Sequence, residues 1–187
     1  MQALILMLDA AGNPAKWVTR EKAAFYYAKG LVTWDIGEED AVMHGGTNAR
    51  TGCRSTLTIK PIISVAGKEN IVHGYREPPV DRFLVFRRDR HLCAFCGQVF
   101  KERDLTLDHV IPASRGGPFS WGNLVSSCKT CNGRKDSLTP EEARMPLLYV
   151  PYAPNRHESF ILANRVILAD QMLFLLEGVP KTSRLHH

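Results

Sequence analysis

Two C-x-x-C pairs, Cys93–Cys96 and Cys128–Cys131, constrain this chain of 187 residues more than any other feature. Each pair can turn two sulfurs toward one ion, and four thiolates in a tetrahedron are the donor set of structural zinc. A thioredoxin-like redox pair is the other reading of a single C-x-x-C. Two such pairs, 31 residues apart within a segment of net positive charge, argue against it. The start, MQALILMLDAAGNP, has no basic n-region, so no secretory signal is expected and disulfide stapling is disfavoured. Cys53 is left over as an unpaired thiol. Four sulfur ligands close the coordination shell, so this zinc would hold a fold without activating water. Its binding energy would become folding energy for the segment between the pairs.

That segment carries a polar set that zinc does not use. DLTLDHVI alternates as a strand through Leu105, Leu107 and His109, and is followed by the loop PASRGGPFSWGN. Asp108 and His109 close the strand, Asn123 ends the loop, and Asn132 follows the last cysteine. Phosphodiester hydrolysis needs a base for water, a group that orients the base, and a cation and donors for the phosphate charge. His109 has the chemistry of the base. Asp108 and Asn132 offer hard oxygens suited to magnesium or manganese. Asn123 can fix the loop and the imidazole by hydrogen bonds. Strand alternation sends Asp108 and His109 to opposite faces, so a bend or bulge is expected if they share one cleft. Each residue alone has a plainer reading: a turn cap, a satisfied interior histidine, an N-cap, a surface amide. Their joint placement inside one zinc frame favours hydrolysis.

Charge points the same way. Residues 81–135 hold ten Lys or Arg against five Asp or Glu, whereas 1–80 and 136–187 are close to neutral. A local basic field suits a polyanion. Arg115, Lys129, Arg134 and Lys135 are the phosphate-contact candidates, with Arg87 and Arg88 flanking them on a short helix. A solvated basic face accounts for the two flanking arginines equally well. Apolar residues at 44% and charged residues at 23% describe a folded chain, and no apolar run is long enough for a membrane span.

Three segments are expected: a small α+β unit over 1–80, the zinc-clamped module over 81–136, and a helical extension over 137–187. In the first, a strand over residues 3–8 precedes a helix beginning near Trp17, N-capped by Thr19 and ended by Gly30. STLTIKPIISV is strand-like with a break at Pro61. In the module, VDRFLVFRRDR predicts a helix with Phe83, Leu84 and Phe86 inward and the arginines outward, and LVSSCKTCNGRKD opens another. In the extension, SLTPEEARM and NRVILADQMLFLLEG predict helices around an extended PLLYVPYAPNR. The last helix either completes a core or forms a homodimer contact.

The run CAFCG … LTLDHVIPASRGGPFSWGNLVSSCKTCNGRK, residues 93–135, resembles the HNH endonucleases of the ββα-metal fold in their four-cysteine zinc form. The resemblance implies an α+β fold with a ββα nuclease module and one structural zinc. It implies His109 as general base and Asn123 as the residue that orients it. Asn132 stands where a histidine often does, making an H-N-N variant with Asp108 and Asn132 as the pair that holds catalytic magnesium or manganese. The implied reaction is hydrolysis of double-stranded DNA, leaving 5′-phosphate and 3′-hydroxyl ends, with contacts mainly to the backbone and low sequence specificity. A cytoplasmic, nucleoid-associated protein with no membrane partner is expected. The competing functions are a non-catalytic zinc-containing DNA-binding adaptor and an RNA-directed nuclease.

Overall fold

In the computed structural model, which describes residues 3–38, 41–66 and 76–186, the apolar run Ile5–Leu8 forms strand β1 with all four side chains buried. A strand apolar on both faces belongs inside a sheet. β1 lies between β2 (Pro14–Val18), antiparallel, and β6 (Ile62–Val65), parallel, and β3 (Val32–Ile36) completes the order β2-β1-β6-β3. Trp17 and Val18 therefore belong to a strand, paired with Leu6 and Ile5, and not to the start of a helix. The helix α1 (Arg20–Ala28) begins at the expected cap, where Thr19 Oγ1 accepts from Lys22 N at 3.3 Å. Pro61 makes the expected break, between β5 (Arg54–Ile59) and β6. β5 pairs with β4 (Ala41–Thr47) in an exposed hairpin that polar, aperiodic residues 38–54 did not announce. Ile5, Met7, Val18, Tyr26, Ile59, Ile63 and Val65 are among the residues that make the core of this unit.

Residues 1–75 and 164–178 make up the first compact unit, and 76–163 with 179–187 the second. The expected boundary at 73–81 lies partly outside the described residues. In the first unit, α5 (Ala169–Glu177) is shorter than the expected 164–178 helix. Its fully buried Gln171 donates to the carbonyls of Leu4 and Pro61, both at 2.8 Å, so a polar helix residue satisfies backbone groups beside the sheet.

The second unit begins with α2 (Arg82–Arg88), N-capped by Asp81 Oδ1, which accepts from Phe83 N at 2.8 Å. This helix corrects the expected facing. Val85 and Phe86 are buried, Phe83 is exposed, and Arg88 is 0% exposed. All five guanidinium N–H donors of Arg88 are engaged. Nε and Nη2 reach Asp89 at 2.8 and 3.2 Å, Nη1 reaches the carbonyls of Trp121 and Tyr152 at 2.8 and 2.9 Å, and Nη2 also reaches Leu124 at 2.7 Å. Asp89 Oδ2 in turn accepts from Ser126 N at 2.8 Å. One buried ion pair thereby ties the end of α2 to the strand residues Leu124 and Ser126, to Trp121 in the loop before them and to Tyr152 in the distal chain.

β7 (Leu105–His109) and β8 (Leu124–Cys128) form an antiparallel pair whose register runs unbroken from Leu105↔Cys128 to His109↔Leu124. LVSSC was expected to open a helix; it is a strand with five buried residues, and the helix α3 (Lys129–Lys135) starts only after it. Together β7, β8 and α3 are a ββα module within an α+β chain. Further on, TPEEARM forms turns and not a helix, with Arg144 at φ 52°. Helix α4 (Arg156–Ala163) follows the extended stretch, where no helix was expected. Its reciprocal cap, Glu158 N to Asn155 Oδ1 at 2.9 Å and Asn155 N to Glu158 Oε2 at 2.8 Å, is an N-x-x-E capping box legible in the letters.

Candidate active site and metal centre

The two C-x-x-C pairs meet. The sulfurs of Cys93, Cys96, Cys128 and Cys131 all lie within 4.8 Å of one another. A tetrahedral zinc with bonds of about 2.3 Å spaces its sulfurs by about 3.8 Å, so the donor set fits. The local backbone explains the meeting. Gly97, at φ +71°, follows the first pair and lets its N–H turn back to Cys93 O at 3.0 Å. Cys128 is both the last residue of β8 and the N-cap of α3, with its sulfur accepting from Cys131 N at 3.4 Å. Ala94 N bonds Ser126 O at 2.8 Å, fastening the first turn to β8.

The electrostatics of the cluster also match a cation. Burial works to raise the Cys93 thiol, but the N–H groups of Cys96, Cys128 and Phe95 outweigh it and bring it down to about 7. Burial and the neighbouring sulfurs push Cys131 well above the ordinary thiol range, and Cys96 moves up as well, by burial first. Four thiols this close oppose one another's ionisation, and a divalent ion at their centre supplies the charge that lets all four become ligands.

Asp108 and Asn132 lie on one side of β7. Thr106 and Asp108, two residues apart, share a strand face. Asn132 and Lys135, three apart on α3, reach those same two residues: Asn132 Nδ2 donates to Thr106 Oγ1 at 2.8 Å and Lys135 Nζ to Asp108 Oδ1 at 3.0 Å. The amide nitrogen of Asn132 is thus committed inward, leaving its oxygen as the end that can take a cation. Asp108 is buried, and its Oδ2 has no hydrogen-bond partner among the described residues. Burial raises the Asp108 pKa above the ordinary carboxylate value, against the bond and charge of Lys135. A buried carboxylate oxygen without a donor and an amide oxygen, both on the same side of the strand, are hard ligands of the kind a divalent ion takes.

His109 stands apart from that pair. It is the last residue of β7, and the strand carries no bulge to turn Asp108 and His109 to one face, contrary to expectation. The imidazole is half-buried, with its ring centroid 6.1 Å from that of Phe119 at an interplanar angle of 55°. Its backbone carbonyl receives a second bond from Lys135 Nζ, at 2.8 Å, so one ammonium holds both the side chain of residue 108 and the main chain of residue 109.

Asn123 braces the loop and does so completely. Its Oδ1 accepts from Ile111 N at 2.8 Å, and its Nδ2 donates to Ile111 O and Pro118 O at 3.1 and 3.0 Å. Gly117 fits beneath this brace because a Cβ there would come within 1.7 Å of Ile111 O. No bond from Asn123 to the imidazole is present among the described residues; its hold on His109 is through the backbone, where Val110 N donates to Asn123 O at 2.8 Å.

The expected phosphate contacts divide. Lys129 and Arg134 are exposed on α3. Arg115 is exposed and ion-paired with Glu142 at 2.7 Å. Arg87 is half-buried and donates to the carbonyl of Leu162. Two assignments are corrected. Arg88 and Lys135 are both 0% exposed, with Arg88 spent on Asp89 and three carbonyls and Lys135 on Asp108 and His109, so neither can reach a phosphate. Their internal roles escaped sequence reasoning because basic residues were read as outward. The signals were present as an adjacent Arg-Asp in RRDR and an N-x-x-K step on one helix face.

Residues 93–148 match the sequence model of a family described as HNH endonuclease. Among solved structures, the Type II-C Cas9 enzyme from Actinomyces naeslundii is similar over 61% of this chain and 10% of its own, with 19% identity and a TM-score of 0.32, a likeness too slight to carry an argument. No curated protein matches the sequence.

Proposed function

Starting from an HNH endonuclease module at residues 93–148, we propose that this protein is a metal-dependent endonuclease that hydrolyses phosphodiesters of double-stranded DNA. The observation that carries the reading is the separation of two donor sets. Four sulfurs form a closed structural centre, while the oxygens of Asp108 and Asn132 on one side of β7, and the half-buried imidazole of His109 at the strand's end, lie outside it.

His109 takes a proton from water at a ring nitrogen, and Asn123 keeps its backbone in place through the braced loop. Asp108 and Asn132 would hold magnesium or manganese, which supplies neutralisation of charge on the phosphate and on the departing 3′-oxygen. Lys135 keeps Asp108 turned so that one carboxylate oxygen is left for that task. Because Asp108 and His109 are the last two residues of β7, a phosphate across the strand's end meets both side chains although they leave from opposite faces. Exposed Lys129, Arg134 and Arg115 contact the backbone, and the ends produced are 5′-phosphate and 3′-hydroxyl. Low sequence specificity follows from contacts of this kind. No helix among the described residues is long and apolar enough to cross a membrane, and a cytoplasmic, nucleoid-bound setting suits the substrate.

The test is nicking of supercoiled plasmid by chelator-treated protein with its zinc retained. Activity should return with magnesium or manganese and stay low with zinc alone, and Asn132→Ala should need far more of the ion. Binding of plasmid with no cleavage under any divalent ion would leave a DNA-binding adaptor, and cleavage of RNA in preference to plasmid would reassign the substrate.

A further inference from the structure

The loop between β7 and β8 holds two large apolar side chains in solvent: Phe119 is 61% exposed and Ile111 is 49% exposed. Single exposed hydrophobics are ordinary on any protein surface. These two differ in how they are held. The buried amide of Asn123 bonds both backbone groups of Ile111 and the carbonyl of Pro118, the residue before Phe119. Gly117 packs against the Ile111 carbonyl so closely that no side chain fits between them. Trp121 anchors the far side of the loop, buried, with Nε1 donating to Pro78 O at 2.8 Å. The positions that carry or adjoin the exposed groups are thus the positions pinned hardest. A loop fixed in this way, with an aromatic ring turned outward, has not simply failed to bury it.

Position and charge identify the occupant. The Phe119 ring borders the imidazole of His109, so anything whose phosphate reaches His109 passes this ring. The module's exposed charge is basic, through Lys129 and Arg134 on α3. The surface therefore pairs cations for a polyanion with an apolar edge beside the candidate base, and nucleic acid offers both complements, phosphates along its backbone and flat apolar faces on its sugars and bases. We propose that Phe119 and Ile111 form an apolar wedge that packs against a base and sugar next to the scissile phosphate, seating the strand over His109. The proposal rests on the nuclease reading above and adds to it the part of the substrate that this loop touches.

The experiment compares wild type, Phe119→Ala and Phe119→Trp in plasmid nicking and in binding a duplex labelled with 2-aminopurine, with zinc content and melting checked on each sample. Phe119→Ala should lose about tenfold in kcat/KM, within the range that base–aromatic stacking supplies. Phe119→Trp should keep most of the activity, and the fluorescence change on binding should vanish only in the alanine variant. The wedge is overturned if Phe119→Ala nicks as well as wild type. It is equally overturned if the variant's only change is a shifted acid limb of the pH profile, which would make Phe119 a packing partner of the imidazole. A change from dimer to monomer on Phe119→Ser with nicking intact would assign the patch to a second copy of the chain. Wild type that neither binds nor nicks would sink the nuclease reading itself, an outcome distinct from all of these.

Discussion

Replacing Arg88 by Met keeps the side chain's approximate bulk and removes its charge and five donors. What remains is a carboxylate, Asp89, that is 1% exposed and keeps one backbone donor, Ser126 N. The carbonyls of Trp121, Leu124 and Tyr152 each lose the bond that Arg88 gave them. Breaking one partner out of a buried pair costs about 3–5 kcal/mol, most of it the penalty for the charge left behind. A domain of about a hundred residues shifts by about 4–8 °C per kcal/mol, so the second unit should melt at least about 12 °C lower. The assay is thermal or urea unfolding followed by Trp fluorescence, together with the salt dependence of duplex binding measured where the variant is folded. The slope of log Kd against log salt should match that of wild type, since a group with no exposed surface neutralises no phosphate. Wild-type melting together with a slope reduced by about one would mean that Arg88 contacts DNA, and the buried-hub reasoning would be wrong.

Lys135→Met strands Asp108 in the same manner: stability should fall by about 3–5 kcal/mol and nicking should drop, while Lys129→Ala alone lowers the salt slope by about one. Cys93→Ala removes a buried ligand, so zinc stoichiometry should fall and the second unit should unfold, as it should under a strong chelator. Burial, then the charge of Arg156, holds His157 below its ordinary value of 6.5. The unfolded chain therefore takes up the proton first, and stability present above that value declines as pH falls through it. Melting temperatures from about pH 8 to about pH 5.5 should show this decline, and His157→Gln should flatten it.

Local, short-range signals were the ones that letters carried. Thr19 as an N-cap, Pro61 as a break and Gly97 after a C-x-x-C turn each depend on neighbours a few residues away. The cysteine spacing reached further because four ligands for one ion are recognisable without knowing the fold. LVSSC was misread because a buried strand running straight into a helix shows no period of its own; five burials in a row look the same in either state. Arg88 and Lys135 were misplaced for a different reason. A basic residue is normally outward; Lys135 is drawn inside by Asp108, a carboxylate that only the tertiary fold brings close, and Arg88, paired with its neighbour Asp89, by the carbonyls of Trp121, Leu124 and Tyr152 that the fold gathers around it. The unbroken register of β7 likewise depends on its partner strand, so the opposed directions of Asp108 and His109 could be anticipated from alternation yet not decided.

The most direct measurement is nicking by His109→Ala with zinc determined on the same preparation. Turnover should fall by about 10²–10⁴-fold, the usual contribution of a general base, with about one zinc per chain retained and melting unchanged, because the imidazole lies outside the four-sulfur shell. Undiminished turnover would remove His109 from the chemistry, and zinc lost along with activity would contradict the separation of a structural sulfur centre from the site that cuts.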